Sequence, residues 1–224
     1  MDMFFMVMIA MLAGKCSDYF VSKLICPILP VTLTRIPHST LLPGECHCFL
    51  WQKTLVLVLT VTLYLACYRE FGLTVTLLPA LLLMSCLLVI SFVDWRCRMI
   101  FDQTLIFMTI LVLLFRWSLG ILNFTDMLCG GLVGGGILLI IALLSGGMGW
   151  GDVKLQTVIG FWLGLPLVLP ATFIAFAAGG LVGAGLLLAK RHGRKDTIPF
   201  APFLALGAMV TLFYGRELVS WSGF

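Results

Sequence analysis

Charged side chains are scarce in this sequence. Of its 224 residues, 11% are Asp, Glu, Lys or Arg and 61% are hydrophobic. Soluble domains carry about 25% charged residues, so this composition excludes a soluble globular protein. It predicts an all-α fold, a polytopic bundle of about eight membrane helices. The apolar residues are continuous rather than alternating, which argues against an outer-membrane barrel. The net charge of +4 is an ordinary excess for a membrane protein, and we expect no nucleic-acid partner.

Several familiar catalytic and metal-binding patterns are also missing. The sequence contains no G-x-x-x-x-G-K-[ST] phosphate loop, H-E-x-x-H zinc motif or G-x-S-x-G elbow. Its eight cysteines do not indicate a disulfide scaffold. Four belong to apolar runs, where Cys behaves as a small hydrophobe, and four fall on the side assigned below to the cytosol, where thiols stay reduced. Cys46-His47-Cys48 lacks the usual spacing of zinc ligands, so we expect a solvated loop there, no metal and no cofactor.

The chain contains eight apolar runs, each long enough to be read as a crossing or most of one. They cover about residues 3–22, 54–68, 72–93, 103–122, 127–147, 155–168, 170–189 and 199–221. Four prolines predict a non-helical polar loop over about 23–53. We therefore expect a first helix with a short cytosolic loop at 1–53 and a membrane-embedded bundle at 54–224. Glycines concentrate in the fifth and seventh runs, which predicts close helix packing there.

The basic residues predict the orientation of these crossings. If every run crosses the membrane, ten Lys and Arg residues fall on one side and three on the other. The positive-inside rule places the richer side in the cytoplasm. Asp94, at the end of the third run, and Asp152, at the start of the sixth, then lie at this cytoplasmic face. We expect such residues near the ends of membrane helices to face a water-filled cavity and serve a pathway or a reaction.

Two carboxylates that face one cavity can hydrolyse a peptide bond. One takes a proton from water while the other, protonated, polarises the scissile carbonyl, and the pair shares a proton because both cannot ionise cheaply. Gly149 and Gly151 beside Asp152 would permit a tight turn and close approach of a peptide backbone. Spacing alone does not bring Asp94 and Asp152 together. Asp94 could instead pair with a neighbouring arginine, and Asp152 could be an ordinary first-turn acid of a helix.

Three motifs carry a resemblance to a known family. They are Gly147-Met148-Gly149-Trp150-Gly151-Asp152-Val153-Lys154-Leu155, with Gly160-Phe161-Trp162-Leu163-Gly164 after it; Asp94 with Asp102 eight positions on; and Ile198-Pro199-Phe200-Ala201-Pro202-Phe203-Leu204-Ala205-Leu206-Gly207. Together they resemble the type 4 prepilin leader peptidases, which are polytopic aspartic proteases of the GxGD kind. The resemblance covers about residues 72–215. It implies that Asp94 and Asp152 are the catalytic pair, and that Gly149, Gly151, Asp102 and Lys154 support them.

The same resemblance implies a function and partners. The substrates would be type 4 prepilins or pseudopilins of a pilus or type II secretion system, whose short basic leader is removed just before a hydrophobic helix. The site would face the cytoplasm, in a bacterial inner membrane whose lipids are the other partner. The oligomeric state is left open.

The sequence departs from the family in two places. It has Ile100-Phe101 where Leu-Pro is usual, so a helix-start proline is missing. Its polar loop of about 30 residues lacks the two CxxC pairs that bifunctional members often carry for N-methylation, so methyltransferase activity is left open. Two alternatives to a protease also remain at this point, an ion- or proton-coupled transporter and a catalytically silent family member.

Overall fold

A computed structural model describes residues 45–119, 124–145, 147–189 and 199–222, together with Leu12 and Lys15. The first apolar run, most of the polar loop and the basic segment after residue 189 lie outside the described residues. The described part is helical, as predicted, since a backbone in lipid must satisfy its hydrogen bonds within the segment. The helices are α1 (Glu45–Phe71), α2 (Leu77–Cys97), α3 (Asp102–Leu119), α4 (Phe124–Ser145), α5 (Trp150–Leu163), α6 (Leu165–Leu188) and α7 (Ala201–Ser222).

Four of these helices contain segments that are long and apolar enough to cross a membrane. The segments are Thr54–Phe71, Leu77–Cys97, Phe124–Ser145 and Leu165–Leu186. The protein is therefore a multi-pass membrane protein. The expected number of eight crossings stays a prediction.

The chain divides into two compact units, Met1–Val89 and Ile90–Phe224. In the first unit, the Tyr64 hydroxyl of α1 and the Ser85 hydroxyl of α2 lie 2.6 Å apart and share a hydrogen bond. In the second unit, α4 packs on α5 and α6, and α7 packs on α6. The predicted division into 1–53 and 54–224 is a different one and stays a prediction.

Glycines bring the backbones of α4 and α5 into direct contact, as the sequence predicted for the fifth run. A Cβ added to Gly130 would lie 2.5 Å from the Gly160 carbonyl oxygen, and one added to Gly160 would meet the Gly130 backbone. The seventh run agrees with the prediction in part, since a Cβ added to Gly179 of α6 would lie 2.9 Å from the Phe200 ring. Gly180 and Gly185 of α6 have no described atom within 4 Å of an added Cβ, so their lack of a side chain is not explained by packing against the described residues.

The boundary between the sixth and seventh runs was predicted near residue 169, and the structure places it at Gly164. This residue has a φ of 81°, a conformation that favours glycine, and its N–H donates to the Gly160 carbonyl to end α5. The next helix starts at once. Pro166 lies in its first turn, where a missing N–H costs no helical hydrogen bond.

The second run also begins earlier than predicted. The expected polar loop extended to about residue 53, but α1 starts at Glu45 and includes Cys46-His47-Cys48, so the expectation of a loop at these residues was wrong. Pro43 and Gly44 come just before this point in the sequence, and no Pro or Gly occurs from Glu45 to Phe71. Polar residues such as Gln52 and Lys53 have good helix propensity, so their polarity did not mark a helix end.

Replacing Gly130 by alanine is expected to destabilise the second unit, because the added methyl group overlaps the Gly160 backbone. Overpacking of this kind costs about 1–3 kcal/mol. Gly136, on the same helix, has no described atom within 4 Å of an added Cβ, so Gly136→Ala should be neutral or slightly stabilising. Thermal unfolding of both variants in detergent tests this. Equal melting temperatures for the two variants would contradict the packing described here.

Candidate active site

Asp94 lies in the last turn of α2 and is buried, with 5% of its surface exposed. The helix ends just after it. Arg98 has a φ of 52°, and its N–H donates to the Asp94 carbonyl at 2.8 Å, which is a left-handed helix C-cap. This turn redirects the chain toward α3 and leaves the Asp94 side chain inside the protein. The charge of the Arg98 side chain also acts on the Asp94 carboxylate.

The Asp94 carboxylate accepts a hydrogen bond from the beginning of α7. The Ala201 backbone N–H donates to Asp94 Oδ2 at 3.1 Å. Ala201 is the first residue of α7, so its N–H has no partner within the helix. A carboxylate at this position is also stabilised by the helix dipole. The third motif thus supplies a backbone donor to the aspartate of the first motif, although 107 positions separate the two residues.

Asp152 lies in the first turn of α5, whose N-cap is Gly149. Its side chain accepts a hydrogen bond from the Gly149 backbone N–H, while its own N–H donates to the Gly149 carbonyl at 3.1 Å. This is one half of a capping box, with the acid reaching back to the N-cap. The expected role as a first-turn acid is therefore present. It does not explain why the carboxylate is half-buried.

The environment of Asp152 favours its protonated form. Burial, together with the negative charge of Asp94, raises the pKa of Asp152 from 3.8 to about 6, although the hydrogen bond from Gly149 acts in the opposite direction. The tertiary structure thus brings the two predicted carboxylates close enough to interact, across 58 positions of sequence. A coupled pair of acids in a partly buried site is typical of acid–base chemistry.

The predicted supporting residues Asp102 and Lys154 connect the start of α3 to α5, the helix that carries Asp152. Lys154 Nζ donates to both carboxylate oxygens of Asp102, at 2.8 and 2.9 Å. The side chains are 55% and 62% exposed, so the ion pair itself contributes little stability. Beside it, a Cβ added to Gly151 would lie 3.1 Å from the Ile100 Cβ. The space at Gly151 is thus used by Ile100, within the protein, and the approach of a substrate backbone to these glycines stays a prediction.

The sequence did not identify several groups of this site. The Ala201 and Gly149 N–H groups, the left-handed Arg98 and the contact of Ile100 are backbone or packing features. Pro199, just before α7, and Pro202, in its first turn, were the available signals for a helix start at Ala201. Among the described residues, no three His, Cys, Asp or Glu side chains form a group that could hold a metal ion.

A second cluster of polar residues holds the break between α5 and α6. Arg116 Nη2 donates to the Trp162 carbonyl oxygen at 2.5 Å, and Asp126 Oδ1 accepts from the Leu165 N–H at 3.2 Å. Arg116 thus satisfies a carbonyl at the end of α5, while Asp126 satisfies an N–H at the start of α6.

Comparison with known proteins identifies the family. A family model described as "Type IV leader peptidase family" matches residues 81–184, which include Asp94, Asp102, Asp152 and Lys154. A prepilin leader peptidase/N-methyltransferase of Bacillus subtilis is 30% identical over 210 residues, which are 88% of this chain and 83% of that protein. The chain belongs to the type IV leader peptidase family.

Other relatives are also named prepilin leader peptidase/N-methyltransferase. The Escherichia coli protein is 29% identical over 215 residues, which are 91% of this chain and 93% of its own length. The Aeromonas hydrophila protein is 33% identical over 153 residues, which are 64% of this chain but 52% of its own length. No solved structure matches the chain significantly. The family recognised from three motifs is therefore confirmed, and the transporter alternative is not favoured.

Replacement of Asp152 by asparagine is expected to stabilise the protein near pH 8 and not near pH 4. Because folding raises the pKa of Asp152 from 3.8 to about 6, the folded state binds this proton more tightly than the unfolded state. That contribution is complete below about pH 4 and is lost as the pH rises through 6. The gain for Asp152→Asn is at most about 3 kcal/mol.

Thermal unfolding in detergent at the two pH values measures this difference. Asp102→Asn is the matched control, because it removes an exposed carboxylate from the same end of the second unit. A stabilisation of Asp152→Asn that is the same at both pH values would contradict the raised pKa.

Proposed function

We propose that this chain is a membrane aspartic endopeptidase that removes the leader peptide of type 4 prepilins or pseudopilins, with Asp94 and Asp152 as its catalytic pair. The observation that carries this proposal is that Asp94 is buried close enough to Asp152 for its charge, together with burial, to raise the pKa of Asp152. Family membership supplies the reaction class, since the relatives are named as prepilin leader peptidases. Their names include a second activity, N-methyl transfer, to which we assign no residue of this chain.

The two carboxyl groups have different surroundings, which suits different roles. Burial disfavours ionisation of Asp94, while the hydrogen bond from the Ala201 N–H and the charge of Arg98 both favour an ionised carboxylate. Asp152 has a pKa of about 6 and is the better holder of the shared proton. In the reaction, ionised Asp94 takes a proton from water as the water oxygen attacks the scissile carbonyl carbon. Protonated Asp152 donates its proton to the carbonyl oxygen.

Collapse of the tetrahedral intermediate completes the reaction. The carbonyl forms again and its oxygen returns a proton to Asp152. The C–N bond breaks, and the proton that Asp94 took from water passes to the departing amine. The pair then again holds one proton, so the cycle needs no cofactor. General acid–base catalysis of this kind contributes about 10²–10⁴-fold to a rate.

We place the site at the cytoplasmic face of a bacterial inner membrane. The excess of Lys and Arg on that side supports this orientation. Trp95 and Trp150, next to the two aspartates in sequence, are 65% and 64% exposed, and exposed indole rings suit the lipid–water interface. A prepilin whose leader ends at the same depth would present its cleavage site to the pair without leaving the bilayer.

Cleavage of a tagged prepilin, coexpressed with the chain and followed by its change in size, tests the proposed function. Asp94→Asn and Asp152→Asn should each reduce cleavage by at least about a hundredfold, at equal protein level in the membrane. Glu70→Gln, which removes an exposed carboxylate at the end of α1, should cleave like the unmutated chain.

The other outcomes are equally informative. Cleavage that persists in either Asp variant would refute the catalytic pair. An unmutated chain that cleaves none of several prepilins would favour a catalytically silent family member.

A further inference from the structure

An open groove runs along α3 beside the first turns of α5. It is lined by Asp102, Leu105, Ile106, Thr109, Ile110 and Lys154, and its volume is about 370 Å³. All of these residues belong to the second unit. Leu105 forms the buried floor, while Ile106 and Ile110 are 58% and 51% exposed at its edges. The groove is therefore apolar along α3 and ends at one ion pair.

The polar end of the groove lies at the same end of the second unit as the proposed catalytic pair. Lys154 and Asp152 both lie in the first turns of α5, on different faces of that helix, and Asp102 begins α3 shortly after the end of α2, which carries Asp94. From Asp102 to Ile110 the groove follows about two turns of α3, a length of about 12 Å at 1.5 Å per residue. A molecule lying in it would extend from the end of the second unit that holds the two aspartates along the apolar part of α3.

We propose that this groove holds the apolar segment of the substrate that follows the scissile bond. The inference rests on the proposed function and assigns to that site its docking surface for the substrate helix. A substrate of this kind changes from polar to apolar at the cleavage point, and the groove changes in the same order from Asp102 and Lys154 to Ile106 and Ile110.

The polar groups of the groove favour a peptide over a lipid tail. The scissile peptide must leave its helix before water can attack it, and its freed N–H and C=O groups then need partners. Lys154 uses two of its three ammonium hydrogens on Asp102. Further along the groove, the Thr109 hydroxyl donates to the Leu105 carbonyl and can accept a hydrogen bond from a peptide N–H. An acyl chain has no polar group for these side chains at that depth.

Filling the groove should weaken substrate binding without disturbing the chemistry. Ile106→Trp is expected to raise the KM for a prepilin by about tenfold, which corresponds to about 1.4 kcal/mol of lost binding, and to leave kcat within about twofold. Phe107→Trp is the matched control. Phe107 is 53% exposed, is the next residue on α3 and does not line the groove, so both its constants should stay unchanged. Ile110→Trp repeats the test should Ile106→Trp not fold.

Photo-crosslinking measures binding separately from cleavage. A benzophenone amino acid is placed at position 106, or at 107 as control, in the Asp94→Asn variant, and membranes are irradiated with and without a tagged prepilin. Crosslinks to the prepilin from 106 and not from 107 are the expected result. Equal crosslinking from both positions, or crosslinks from 106 to lipid alone, would overturn the groove as the docking surface.

The two experiments separate this inference from the proposed function. If the unmutated chain cleaves prepilin and neither Ile106→Trp nor Ile110→Trp changes the KM, the proposed function stands and the groove is refuted as the docking surface. If the unmutated chain never cleaves prepilin but crosslinks to it from position 106, the groove stands as the docking surface and the proposed catalytic activity is refuted.

Discussion

The hydrogen bond from the Ala201 N–H to the Asp94 carboxylate connects the end of α2 to the start of α7. A charged group buried at the end of a membrane helix is costly unless it is paired or hydrogen-bonded. An N–H in the first turn of a helix has no acceptor within the helix and requires one from elsewhere. Each group satisfies the other. Because this contact holds Asp94 in the protein interior, its charge can act on Asp152, and the proposed reaction depends on that interaction.

Helix ends recur as the positions of the functional and structural carboxylates. Asp152 accepts from the Gly149 N–H at the start of α5, and Asp126 accepts from the Leu165 N–H at the start of α6. The difference between a structural and a reactive carboxylate lies in its neighbours. Asp126 has the cation Arg116 nearby, whereas Asp152 has a second carboxylate. Two similar capping contacts thus belong to a helix connection in one place and to the proposed catalytic pair in another.

The proposed reaction also depends on how closely the helices of the second unit pack. Gly130 and Gly160 allow the backbones of α4 and α5 to touch, and Gly164 ends α5 after 14 residues. A helix of that length spans about 21 Å, less than the hydrocarbon core. In this geometry the first turn of α5 can hold Asp152 near one face, beside an open groove along α3 that has room for a substrate segment.

The sequence by itself determined the class of the protein, because composition and continuous apolar runs leave helices as the stable solution in lipid. Its three motifs also determined the family and named Asp94 and Asp152. Boundaries were less predictable: Glu45 begins a helix where polarity suggested a loop, and a single glycine divides α5 from α6. Only the tertiary structure decided which groups meet. The Ala201 N–H, the Ile100 contact at Gly151 and the influence of Asp94 on Asp152 join residues far apart in the chain, and such contacts follow from helix packing, which no local pattern of residues encodes.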